Sequence, residues 1–144
     1  MHTLLSAFSD MLQRRKLVKP AIIALLASET DRQVVSDFCL RHDCDISFAG
    51  TCAETRTLMA RVKAQILFMD RDLAGSDWKE SMVDLAAFPG GICIVLISSV
   101  VDGYLWNEVV RNGGYEVLAK PLREEDVAKA VRLAWSYTAA HVRR

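Results

Sequence analysis

Three stretches of this chain are apolar with no polar residue between: Ala21–Ala27 (AIIALLA), Ile66–Met69 (ILFM) and Ile92–Ile97 (ICIVLI). They are too short to span a bilayer and lack the alternation of a strand with one wet face. They read as strands buried on both faces. A sheet covered on both faces is characteristically parallel, with a helix in each crossover. Each run ends abruptly in polar residues: Ser28-Glu29-Thr30-Asp31 after the first, Asp70-Arg71-Asp72 after the second, Ser98-Ser99 after the third.

The segments between the runs carry helical signals. Asp31 or Thr30 caps a helix reaching about His42, with Val34, Val35, Phe38 and Cys39 on its inner face. Ile46–Ala49 (ISFA) is a shorter, half-polar strand of the kind found at a sheet edge. Thr51 opens a helix to about Val62 that buries Leu58, Met59 and Val62. Trp78–Ala87 forms a third helix, ended by Phe88-Pro89-Gly90-Gly91. A helix from about Gly103 to Arg111 stops at Asn112-Gly113-Gly114, a C-terminal capping signal. Tyr115–Ala119 is a fifth strand closed by Lys120-Pro121. Glu124–His141 is a long final helix with Val127, Val131, Ala134, Trp135 and Thr138 on one stripe.

Residues 1–19 stand apart from this alternation. Leu4, Leu5, Phe8, Met11 and Leu12 form a stripe at helical spacing. Arg14, Arg15 and Lys16 follow, where positive charge suits the helix dipole, and Pro20 closes the segment. The expectation is an amphipathic helical extension over 1–19, packed on its own domain or on a second copy. A single domain then covers 20–144.

Five strands alternating with five helices predict a three-layer α/β fold around a parallel sheet. The residues that follow each strand then share the carboxyl edge, where ligands and chemistry collect in such sheets. Ser28, Glu29, Asp70, Ser98, Ser99 and Lys120 converge there. Leu73-Ala74-Gly75-Ser76 loops away after Asp70, which predicts a partly exposed carboxylate.

Composition narrows the function. With 18 basic and 18 acidic side chains there is no basic excess to draw a nucleic acid. No apolar run approaches the roughly 20 residues of a membrane span, and no basic segment precedes an apolar core as in a secretory signal. A cytoplasmic protein is expected. Cys39, Cys44, Cys52 and Cys93 contain no C-x-x-C pair and sit in apolar segments, as reduced, buried thiols would. His42, beside Asp43 and Cys44, lacks matching metal ligands elsewhere and reads as the solvated end of a helix.

The polar residues, in this order, resemble the receiver domain of two-component response regulators. The resemblance covers about residues 20–140. It rests on Asp70 after Phe68-Met69, the Leu73-Ala74-Gly75 turn, Ser98 closing IVLI, and the Lys120-Pro121 pair. It implies the flavodoxin-like sheet order 2-1-3-4-5, as in a chemotaxis regulator. It also implies a phosphoryl group passed from a histidine kinase or phosphotransfer protein to Asp70. In that reading Mg²⁺ is held by Glu29, Asp70 and the backbone carbonyl of Asp72, at about 2.1 Å from oxygen. Lys120 meets one phosphoryl oxygen, and the Ser98 hydroxyl moves toward another. The domain signals and is not an enzyme, beyond slow self-dephosphorylation.

Two departures stand out. Receivers usually carry adjacent acids after the first strand, and the matching pair here is Ser28-Glu29. A register one residue earlier gives Ala27-Ser28 and no acid. The aromatic usually three residues before the lysine is Val117 here, with Tyr115 a partial substitute on the same strand face. A degenerate receiver that binds partners without phosphorylation is therefore the alternative. A remote one is a haloacid-dehalogenase-like phosphatase with Asp70 as nucleophile and Asp72 as acid/base. Against it, Ala74 stands where Thr or Val is usual, and the motif lies on the third strand.

Apolar residues around the fourth and fifth helices point to a partner surface. Val100, Val101, Tyr104 and Trp106 cannot all face inward on one helical stripe, and Trp135 and Tyr137 point in different directions. A homodimer through the Val101, Tyr104, Trp106 and Trp135 region is expected, with the N-terminal helix adding to it.

Overall fold

A computed structural model describes residues 19–73 and 77–142, with side chains through Thr138. The expected N-terminal helix and the Ala74-Gly75-Ser76 part of the loop after Asp70 lie outside the described residues. The elements alternate throughout: β1 (Ala21–Leu25), α1 (Glu29–His42), β2 (Asp45–Ala49), α2 (Cys52–Arg61), β3 (Ile66–Asp70), α3 (Trp78–Ala86), β4 (Cys93–Ser98), α4 (Gly103–Arg111), β5 (Glu116–Ala119) and α5 (Glu124–Val142).

All four strand pairings are parallel and the order is β2-β1-β3-β4-β5, as the resemblance implied. Each residue of β1, β3 and β4 is buried, so the uninterrupted apolar runs are the three central strands. The half-polar β2 and the short β5 are the edges.

Alternate residues of each strand feed two cores. Ile22, Ala24, Ile66, Phe68, Val95 and Ile97 pack with Val35 and Phe38 of α1 and Val127, Val131 and Ala134 of α5. Ile23, Leu25, Leu67, Met69, Ile94 and Leu96 pack with Met59 of α2, Met82 and Leu85 of α3, and Leu105 and Val109 of α4. Burying a Leu- or Ile-sized side chain contributes about 1.5–3 kcal/mol, so these two cores dominate the stability. The sheet is the middle of three layers.

The helix starts follow side-chain oxygens. Thr51, Asp77 and Asp102 cap α2, α3 and α4, each accepting a backbone N–H from the first turn. At α1 the cap is Ser28, whose Oγ accepts the Asp31 N–H at 3.3 Å. Neither Thr30 nor Asp31 is the cap, because β1 ends at Leu25 and the helix begins two residues before Asp31. Asp31 instead lies buried inside the first turn.

His42 is half-buried, with its ring 4.7 Å from that of Phe38, so the helix end is not solvated as expected. Burial holds its imidazole below the usual histidine range. The four cysteines are free, and all but Cys52 are buried. A hydrogen bond with the Cys39 thiol, then burial, pushes the Cys44 thiol up, and burial does the same for Cys93. Cys39, Cys44 and Cys93 pack in the core as small apolar side chains.

Candidate functional site at the carboxyl edge

The parallel sheet delivers Asp70, Ser98 and Lys120 to one edge, and register sets their spacing. Asp70 pairs with Ile97 across β3 and β4, so Ser98 stands one step beyond it. Ser98 pairs with Ala119 across β4 and β5, and the Lys120 N–H donates to the Ser98 carbonyl at 2.9 Å. Lys120 is thereby aimed back at Asp70, and its Nζ donates to Asp70 Oδ1 at 2.7 Å.

Asp70 is only 1% exposed, not the partly open carboxylate that its place before a loop suggested. Both oxygens are engaged. Oδ1 also accepts the Asp72 N–H at 2.9 Å, and Oδ2 accepts the Ala27 N–H at 3.2 Å. A charge-assisted ion pair and two backbone donors hold the carboxylate in place. One side chain thus ties the loops after β1, β3 and β5 together.

Ser98 is equally buried and equally occupied. Its Oγ donates to the Val100 carbonyl at 2.7 Å and accepts the Val100 N–H at 3.2 Å. A longer bond, 3.4 Å, comes from Arg71 Nη1. Arg71 is half-buried, and its backbone N–H donates to the Ile97 carbonyl at 2.9 Å. Arg71 was not among the expected site residues. The signal was its place directly after Asp70 in a strand-end loop.

The acids expected near Asp70 are placed otherwise. Glu29 has an 83% exposed side chain on the first turn of α1 and pairs with Arg32 at 3.7 Å. Asp31 is buried and turned to the loop after β5, with Oδ1 accepting the Leu122 N–H at 3.1 Å. Asp72 is exposed and meets Asp70 through its backbone N–H. The position that touches Asp70 at the end of β1 is Ala27, preceded by the fully buried Leu26. Among the described residues no three His, Cys, Asp or Glu side chains group as a metal site. Mg²⁺ takes oxygen ligands in near-octahedral geometry, and donors already surround the buried Asp70 carboxylate. The residues present do not fit the ion.

Val117, in place of the usual aromatic, faces the α2–α3–α4 core. Tyr115 precedes β5 and packs on the opposite core, its ring 5.3 Å from that of Tyr137. It does not share a face with Val117 and cannot substitute there.

On the surface, Val100, Val101, Tyr104, Trp106 and Val110 are exposed, Tyr104 most of all at 72%. Trp135 is not part of that surface. It is 4% exposed because the inward stripe of α5 runs through Ala134 and Trp135, leaving Tyr137 outside.

No protein-family model matches the sequence, and no curated protein matches it. Solved structures do. The signal receiver domain of an HD domain-containing protein from Pseudomonas fluorescens superposes with a TM-score of 0.77 at 17% identity, covering 88% of this chain and 93% of that one. A response regulator from Thermotoga maritima gives 0.74 at 20% identity, over 83% and 99%. The receiver domain of the Saccharomyces cerevisiae response regulator Ssk1, solved with the histidine phosphotransfer protein Ypd1, gives 0.71 at 14% identity, over 78% and 86%. Among the described residues no helix is long and apolar enough to cross a membrane. The chain has the fold of the response-regulator receiver domains.

Proposed function

We propose that this chain is a receiver-type domain of two-component signalling that works by protein recognition, without Mg²⁺-dependent phosphoryl transfer and without enzymatic turnover. The end of β1 carries this reading. There Leu26 is buried and Ala27 offers Asp70 a backbone N–H, so β1 brings no second carboxylate to the acceptor position to gather a cation. The likeness to the Ssk1 receiver supports a histidine kinase or phosphotransfer protein as the partner, docking at the carboxyl edge.

A second reading keeps Asp70 as a phosphoacceptor, favoured by the Lys120 ammonium 2.7 Å from its carboxylate. In that step an Asp70 oxygen attacks phosphorus as the N–P bond to the donor histidine breaks. The imidazole leaves and takes up a proton, and Lys120 and Ser98 meet the phosphoryl oxygens. Acetyl phosphate with Mg²⁺, followed by intact-mass measurement, separates the two. The expected result is an unshifted mass; a gain of one phosphoryl group that Asp70→Asn abolishes establishes the second reading.

We also propose a second copy of the chain as a partner for the α4 surface. Val101, Tyr104 and Trp106 form an apolar face on a protein of zero formal net charge, which does not oppose self-association. Sedimentation at micromolar concentration should show a dimer that Trp106→Glu dissociates. A monomeric unmodified protein would refute it.

A further inference from the structure

Around Asp70 the end of β1 offers a backbone N–H at Ala27 and no carboxylate, and three hydrogen-bond donors converge on the Asp70 side chain. Lys120 Nζ, the Asp72 N–H and the Ala27 N–H point at the carboxylate. A metal needs oxygens in those directions. Of the neighbouring acids, Glu29 pairs with Arg32, Asp31 accepts the Leu122 N–H, Asp77 and Asp102 cap α3 and α4, and the exposed Asp72 meets Asp70 through its backbone N–H. Meanwhile Arg71 folds back along the edge so that its guanidinium reaches Ser98 Oγ. Two cationic side chains, Lys120 and Arg71, thus flank the buried Asp70 and Ser98 at this edge.

We infer that the Asp70 site excludes divalent cations, and that Arg71 supplies, with Lys120, the positive charge for which such a site otherwise depends on a metal ion. The inference rests on the receiver reading of the site. A guanidinium is a planar cation with fixed donors, so the charge it brings does not depend on metal supply. Its bond to Ser98 has a consequence for the loop into α4. The Ser98 hydroxyl already closes on both backbone groups of Val100, and Arg71 holds it there. Arg71 is a positioning residue that fixes the start of the α4 surface in one state, whatever the Mg²⁺ concentration.

Calorimetric titration of the full chain with MgCl2 tests this, with circular dichroism to confirm folding. The wild type should show no saturable binding at millimolar Mg²⁺. Ala27 is exposed, so Ala27→Asp can place a carboxylate beside Asp70 without disturbing the core. Combined with Arg71→Ala it should create saturable binding that a further Asp70→Asn abolishes. Arg71→Lys in the Ala27→Asp background keeps the cation and should bind at least about tenfold more weakly than the Arg71→Ala combination, a difference that loss of packing alone would not produce. Saturable wild-type binding that Asp70→Asn removes would overturn the inference, whatever the other variants do. So would a folded Ala27→Asp, Arg71→Ala protein that binds no better than wild type. Labelling by acetyl phosphate that excess chelator leaves unchanged would overturn the phosphorylation-free reading and leave the exclusion standing. Mg²⁺ binding without labelling would do the reverse.

Discussion

Asp70→Ala is expected to lower the stability of the domain by about 3 kcal/mol, read as a fall in the urea midpoint at unchanged slope. The side chain is completely buried and its ion pair with Lys120 is short. Removing it strands the Lys120 ammonium and leaves the Ala27 and Asp72 N–H groups without their acceptor. Breaking a buried pair from one side costs roughly 3–5 kcal/mol, and water reaches the Lys120 side chain, 20% exposed, which places this site at the low end. Asp70→Asn keeps one acceptor oxygen and should cost about 1–2 kcal/mol. Removing the lysine as well, in Asp70→Ala with Lys120→Met, should recover part of the loss, since no lone charge is left. A cost below about 1 kcal/mol for Asp70→Ala would mean that the three loops hold together without it.

The sequence alone led to the opposite expectation for this carboxylate, and the reason is physical. A strand-end Asp before a loop is open to water unless something covers it, and the cover comes from residues distant in the chain. Lys120 lies 50 positions away and Ala27 lies 43. Both meet Asp70 only through strand order and register. The convergence of Asp70, Ser98 and Lys120 was nevertheless legible, because uninterrupted apolar runs mean parallel strands and parallel strands share their carboxyl ends. Directions of side chains beyond a strand end were not. Glu29 was expected to face Asp70 and instead opens a helix that Ser28 caps. Competing capping residues in Ser28-Glu29-Thr30-Asp31 could not be ranked by type, since Ser, Thr and Asp all cap well. On α5 the period gave Ala134 and Trp135 as inner residues correctly. The surface reading erred by leaving Trp135 as well as Tyr137 available to a partner, although one stripe had already claimed it.

Gly114→Val is expected to cost about 3 kcal/mol or more, the upper range for overpacking, because the nearest neighbour of Gly114, Val109, cannot retreat freely. A Cβ there would stand 2.5 Å from Val109 Cγ1 and 2.8 Å from Met82 Sδ. Met82 can adjust its flexible side chain, but Val109 is β-branched, sits on the last turns of α4 and is fully buried. The preceding Gly113 restricts the escape further. Its φ is +95°, a conformation that disfavours any side chain, and a Cβ on it would lie 2.7 Å from Ala86 Cβ. The pair of glycines therefore does more than end α4. It lets the chain pass between α3 and α4 and enter β5 close to both, with the Gly114 N–H donating to the Val109 carbonyl at 2.8 Å. The end of β5 is where Lys120 begins its reach to Asp70, so a shifted β5 should loosen the ion pair as well as the core. The measurement is a urea titration of Gly114→Val and of Gly114→Ala, which adds only the Cβ and should cost less. Gly114→Val in the Asp70→Ala background should cost less than in the wild type, since the ion pair that it disturbs is already gone. If the two losses simply add, Gly114 acts on the α3–α4 packing alone and the path from this turn to the site is closed.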